Sequence, residues 1–152
     1  MNRHCWGDQD AKGAFVGLTL AASLKDMVLA VIEGLTLELR VNLEALSSAG
    51  LPINRLRAVG GGARSERWLQ MKADVTGCTV ETPRVREAAL LGAALLAATA
   101  YGEYASLEEA VSRAVSVERV FTPDPARKKA YDAHFEIYRC IYPALKEIHH
   151  AL

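Results

Sequence analysis

Residues 57–77 read RAVGGGARSERWLQMKADVTG, an apolar strand end, a triple glycine and an amphipathic helix closed by another glycine. Side chains at Gly60, Gly61 and Gly62 would obstruct a ligand, whereas bare backbone lets N–H groups approach phosphate or sugar oxygens, aided by the positive end of the next helix. The plain alternative is a tight strand-to-helix turn that needs glycine for its own geometry. Both readings stand on the local pattern alone.

Working outward, the preceding residues 55–59 (RLRAV) form an expected strand, Ser65 to Thr76 a helix with Trp68, Leu69 and Met71 toward its buried side, and Cys78 to Thr82 a further strand stopped by Pro83. Upstream, Ala14 to Thr19 (AFVGLT) reads as a short buried strand. Ser23-x-x-Asp26 is a capping-box variant that starts a long helix, with Leu24, Met27, Val28, Val31, Ile32, Leu35, Leu39 and Leu46 at helical spacing. Gly50 and Pro52 end it.

Downstream, Arg86 to Tyr101 is an alanine-rich helix, and Ser106-x-x-Glu109 is a full capping box opening a helix from Leu107 to Val115. Val120 to Pro125 reads as extended. A last helix runs from Ala126 to about Leu152, with Phe135, Tyr138, Tyr142 and Leu145 packing back on the body and Pro143 kinking or splitting it. Strands alternating with helices predict an α/β layered domain.

The 152 residues suit one domain that buries about two-thirds of its unfolded surface. Eighteen basic residues balance eighteen acidic ones, and 51% of the chain is apolar, so nothing points to nucleic acid or to disorder. Cys5, Cys78 and Cys140 lack pairing or metal-ligand spacing, which suggests a reducing cytoplasm. No apolar run approaches the ~18 residues of a membrane span, and the start lacks a signal-peptide core. His4, His134, His149 and His150 show no metal-like spacing and read as surface or tail residues.

A dinucleotide-binding fold is one chemical candidate: Gly60-x-Gly62 follows a strand, Ser65 takes the third small position, and Glu81 lies about 20 residues on, where a ribose-binding acid is expected. The third glycine is missing. A P-loop fits less, because no Gly-Lys-Ser/Thr follows.

The segment 59–98, VGGGARSERWLQMKADVTGCTVETPRVREAALLGAALLAA, resembles the adenosine-binding and second connecting motifs of the FGGY family of carbohydrate kinases. Gly13-Ala-Phe-Val-Gly17-Leu18 with Asp26-Met-x-x-Ala30-Val-Ile-Glu33 resembles that family's second signature. Thr122-Pro-Asp124-Pro, Tyr131, Tyr138 and Tyr142-Pro143-Ala-Leu-Lys146 resemble the tails of xylulose kinases and their near relatives, so the likeness covers nearly the whole chain. The turn Asp8-Gln9-Asp10-Ala11-Lys12-Gly13 is similar to the family's Asp-Pro-x-Ala-Arg-Gly, with Gln9 and Lys12 as departures and Gly7 inserted after Trp6.

The resemblance implies a ribonuclease-H-like lobe of the actin and hexokinase type, a short mixed sheet flanked by helices. Residues 1–152 are then the C-terminal nucleotide-binding domain of a two-domain, cytoplasmic sugar kinase that uses ATP and Mg²⁺. The sugar site, first phosphate loop and catalytic aspartate are expected in an N-terminal lobe absent from this sequence; Mg²⁺ has no identifiable ligands here. Gly60, Gly61, Gly62, Ala63, Arg64 and Glu66 are the expected nucleotide contacts, Glu66 standing where glycerol kinase offers an asparagine near adenine. Glu33, Asp74 and Glu87 match common acids of the family and read as capping or hinge groups. A pentulose such as xylulose is the expected substrate, and a homodimer is left open. The rival reading from another class is a stand-alone lobe that binds nucleotide or partners and catalyses nothing.

Overall fold

A computed structural model describes residues 8–152. The first element is helix α1, Leu24–Ser48, begun by the expected capping box: Ser23 Oγ accepts the Asp26 N–H at 3.4 Å and Asp26 Oδ2 accepts the Ser23 N–H at 2.9 Å. Strand β1, Arg55–Arg57, leads into a 3₁₀ turn, Gly61–Arg64, and then into α2, Glu66–Thr76. Ser65 caps α2 by accepting the Trp68 N–H, and Gly77, left-handed at φ 72°, closes it. Strand β2 is Thr79–Pro83, followed by α3 (Ala88–Tyr101), α4 (Leu107–Ala114), strand β3 (Val117–Phe121) and α5 (Pro125–Ala151).

The sheet order is β1-β2-β3, with β1 parallel to β2 and β3 antiparallel to it. Helix α2 lies between two cores. On the sheet side, Leu69, Ala73 and Val80 pack with Leu56, Ala58 and Phe121. On the other side, Leu37 of α1, Val75 of α2 and Phe135 of α5 are joined by Val41, Met71, Tyr131 and Tyr138. Helices α3 and α4 pack on each other, burying Leu95 and Ala110. Among the described residues no helix is long and apolar enough to cross a membrane.

Several sequence expectations change. Residues 14–19 form no strand: Phe15, Val16 and Leu18 are exposed, and the segment lines an open cavity together with residues of α1 and α5. A strand exists only where another backbone pairs with it, and helices offer none. Conversely, β3 begins at Val117, before the expected extended stretch. Its Glu118 and Arg119 are exposed like their neighbours, so this edge strand carries no inward-outward alternation to detect. The helix α5 continues through Pro143 instead of splitting there. In α4 the Glu109 carboxylate accepts the Ala105 N–H, one residue earlier than a full capping box requires.

His149 is buried rather than a surface residue, and His150 Nε2 stands 2.8 Å from Asp8 Oδ2. Cys5, His4 and the Gly7 insertion lie outside the described residues.

Candidate nucleotide site

The site is built at the end of β1. Gly60 adopts φ 74°, ψ −162°, a region open essentially to glycine alone. Its N–H donates to the Arg86 carbonyl at 3.1 Å, and its own carbonyl accepts the Ala63 N–H at 3.1 Å. The first bond fixes the turn to the segment between β2 and α3; the second closes the 3₁₀ turn and buries Ala63. Gly60 therefore serves the turn's geometry, as the plain reading of the glycines expects.

Gly61 and Gly62 lie outside the positive-φ region, so their backbone does not itself require glycine. No atom lies within 4 Å of a Cβ placed on Gly61, which opens outward. A Cβ on Gly62 would meet Trp68 Cζ3 at 3.4 Å and Lys72 Nζ at 3.8 Å. The N–H groups of Gly61 and Gly62 are the first two of the turn and have no acceptor within it.

Helix α1 sets the back of this site. Trp68 Nε1 donates to Thr36 Oγ1 at 2.9 Å, and Thr36 Oγ1 donates to the Ile32 carbonyl at 2.7 Å. Trp68 in turn carries Lys72, whose Nζ sits 4.1 Å from the ring centroid. Neither residue stood out in sequence as a ligand group; the i, i+4 spacing on α2 was the available signal.

The rim is charged and paired. Arg64 is exposed, 4.0 Å from Glu87 at the start of α3. Glu66, also exposed, pairs with Arg119 of β3. Arg86 meets Glu118 at 3.1 Å. The structure thus brings Gly60, Gly61, Gly62, Ala63, Arg64 and Glu66 together at one end of the sheet.

Other singled-out acids have structural partners. Asp74 is buried and accepts from Gln70 Nε2 at 2.8 Å and from the Asp124 N–H at 2.9 Å, with Arg127 at 3.6 Å. Glu33 accepts from Tyr131 at 3.1 Å. Glu81 is buried on β2 between Arg55 at 3.1 Å and Arg57 at 3.4 Å, committed to β1 and not to a ribose. That pairing and the antiparallel β3 remove the dinucleotide-fold reading.

A cavity of about 420 Å³ opens between α1, α2 and α5, lined by Glu33, Arg67, Met71, Asp74, Arg127 and Tyr131 among others. At the far end of α5, ligand atoms of Asp8, Asp10 and His150 lie within 4.8 Å of one another, a grouping across the chain that no sequence spacing signals. Tyr142 and His150 both engage Asp8 Oδ2 and hold its carboxyl well below the usual carboxylate range.

A short mixed sheet flanked by helices, with a glycine turn leaving its parallel edge, is a ribonuclease-H-like lobe of the actin and hexokinase type. The chain belongs to the FGGY family of carbohydrate kinases: residues 1–101 match the model of that family's C-terminal domain. It is 32% identical over 142 residues to xylulose kinase of Staphylococcus epidermidis, covering 93% of this chain and 29% of that one. Among solved structures it resembles xylulose kinase from Rhodospirillum rubrum with a TM-score of 0.79 and 29% identity, over 95% of this chain and 29% of that one. Gluconate kinase from Lactobacillus acidophilus gives a TM-score of 0.77 and 29% identity, over 91% and 28% of the two chains. The chain therefore spans under a third of the length of these relatives.

Proposed function

We propose that this chain forms the adenosine-binding lobe of an ATP-dependent carbohydrate kinase acting on xylulose or a related pentulose. The observation that carries the reading is the turn itself: Gly60 is held at φ 74°, the N–H groups of Gly61 and Gly62 have no acceptor within the turn, Gly61 faces open space, and a Cβ on Gly62 would stand in ordinary contact with Trp68 and Lys72. Such a cradle accepts a ligand against backbone, and the likeness to xylulose kinases supports ATP as that ligand. Gly61, Gly62 and Ala63 line the adenosine and α-phosphate side, Arg64 is the phosphate-side cation, and Glu66 borders the base.

Phosphoryl transfer asks a protein mainly for positioning and charge stabilisation. This lobe contributes the nucleotide floor. Mg²⁺ would neutralise phosphate charge during transfer; beside the turn, Glu66 and Glu87 face Arg119 and Arg64. The ligands of Mg²⁺, the sugar contacts and the acid that takes the hydroxyl proton are assigned to a partnering N-terminal lobe, whose closure over the sugar excludes water. A cytoplasmic enzyme, with homodimerisation as a further possibility to be measured, completes the proposal.

The same pairing favours a second reading, a lobe that binds nucleotide and transfers nothing by itself. Calorimetric titration with ATP and with NADH tests both: ATP binding supports them, and NADH binding without ATP binding overturns them. A normal rate of D-xylulose phosphorylation by these 152 residues alone would overturn the assignment of the base elsewhere.

A further inference from the structure

Lys72 is a cation of α2 that stands beside the turn. Its neighbours Arg64, Arg86 and Arg119 each face a carboxylate, yet among the described residues no carboxylate lies within ion-pairing distance of Lys72. Its ammonium rests 4.1 Å from the centroid of Trp68, and Trp68 is itself fixed by the hydrogen bond to Thr36. The ammonium also stands 3.8 Å from the point where a Cβ on Gly62 would sit, so the absent side chain leaves it reachable from the turn.

We propose that Lys72 is a specificity-determining residue of the nucleotide site, a cation held on Trp68 to meet the phosphate chain and so favour nucleotide over nucleoside. The proposal rests on the nucleotide reading of the turn. A lysine held on an aromatic face and stripped of part of its water gains more from an anionic ligand than a solvated one does. Burial already holds the Lys72 pKa below its ordinary value, as expected of a cation lacking its counter-charge. The helix offers no anion of its own within reach, so the missing charge is assigned to the ligand.

The test titrates the full chain with ATP and with adenosine, in wild type, Lys72→Met and Lys72→Arg, after thermal melts show that each variant folds. The expected result is roughly tenfold weaker ATP binding in Lys72→Met, unchanged adenosine binding, and recovery of most ATP affinity in Lys72→Arg. Lys72→Gln serves if Lys72→Met fails to fold. Equal ATP affinity in wild type and the neutral variant overturns the proposal and leaves the nucleotide reading standing. A parallel loss of ATP and adenosine affinity overturns it too, since that marks a merely structural lysine. Wild-type protein that binds neither ligand overturns the nucleotide reading along with it.

Discussion

The carboxylate of Asp74, near the end of α2, accepts the backbone N–H of Asp124 at 2.9 Å, and Asp124 in turn caps α5 through the Ala126 and Arg127 N–H groups. One buried acid thus secures the start of a helix fifty positions further along the chain. The residue matches a common family acid, and its geometry is that of a fastening.

Replacing Asp74 by Ala leaves the Asp124 N–H without its acceptor and Gln70 Nε2 with only the Thr122 carbonyl, so stability should fall by about 2 kcal/mol. Asp74→Asn keeps an oxygen acceptor and should lose less. Urea denaturation measures both. ATP affinity of the folded variants should match wild type, and a selective loss of affinity at full stability would instead mark Asp74 as part of the site.

The three glycines should separate by phenotype. Gly60→Ala forces a Cβ onto φ 74° and should cost about 1–3 kcal/mol of stability. Gly62→Arg needs no positive φ, and its Cβ would stand in ordinary contact with Trp68 and Lys72, so the longer side chain can fill the cradle without breaking the Trp68–Thr36 bond. Its melting temperature should stay close to wild type and its ATP binding should vanish. Unchanged ATP binding in Gly62→Arg rejects the role given to the turn.

Tyr131 has its pKa pushed up to about 12, first by burial and then by the charge and hydrogen bond of Glu33. Because the folded state holds this proton more tightly than the unfolded chain, the contribution to stability is complete below about pH 10 and is lost as pH rises toward 12. Ultraviolet absorbance of phenolate, compared between wild type and Tyr131→Phe, should differ by one tyrosine ionising near pH 12.

Thr82 is buried on β2, and its hydroxyl has no hydrogen-bond partner among the described residues. Valine has nearly the same shape and suits a strand. Thr82→Val should therefore raise stability by about 1 kcal/mol, read from thermal or urea unfolding. A loss of stability would show that the hydroxyl is satisfied, for example by water.

What could be read in advance was what neighbouring residues decide. Ser23 with Asp26, Ser65 before α2, and Gly77 after it encode helix ends locally, and the structure places those ends where they were expected. The triple glycine located the turn for the same reason. Residues 14–19 misled because an apolar run states a preference for burial but not the presence of a pairing strand. The edge strand β3 was missed because its exposed Glu118 and Arg119 erase the two-residue period. The pairing of Glu66 with Arg119, of Asp8 with His150, and the isolation of Lys72 depend on which distant elements meet, and no spacing along the chain records that.

The lodging of Trp68 between Thr36 and Lys72 gives this protein an optical reporter at its glycine turn. The only other tryptophan is Trp6, so a Trp6→Phe chain emits from that single indole. Its fluorescence should respond to the charge lying on the ring, so that an anion drawing Lys72 away would shift the emission. Ligand arrival can then be followed in real time by stopped flow, without a label.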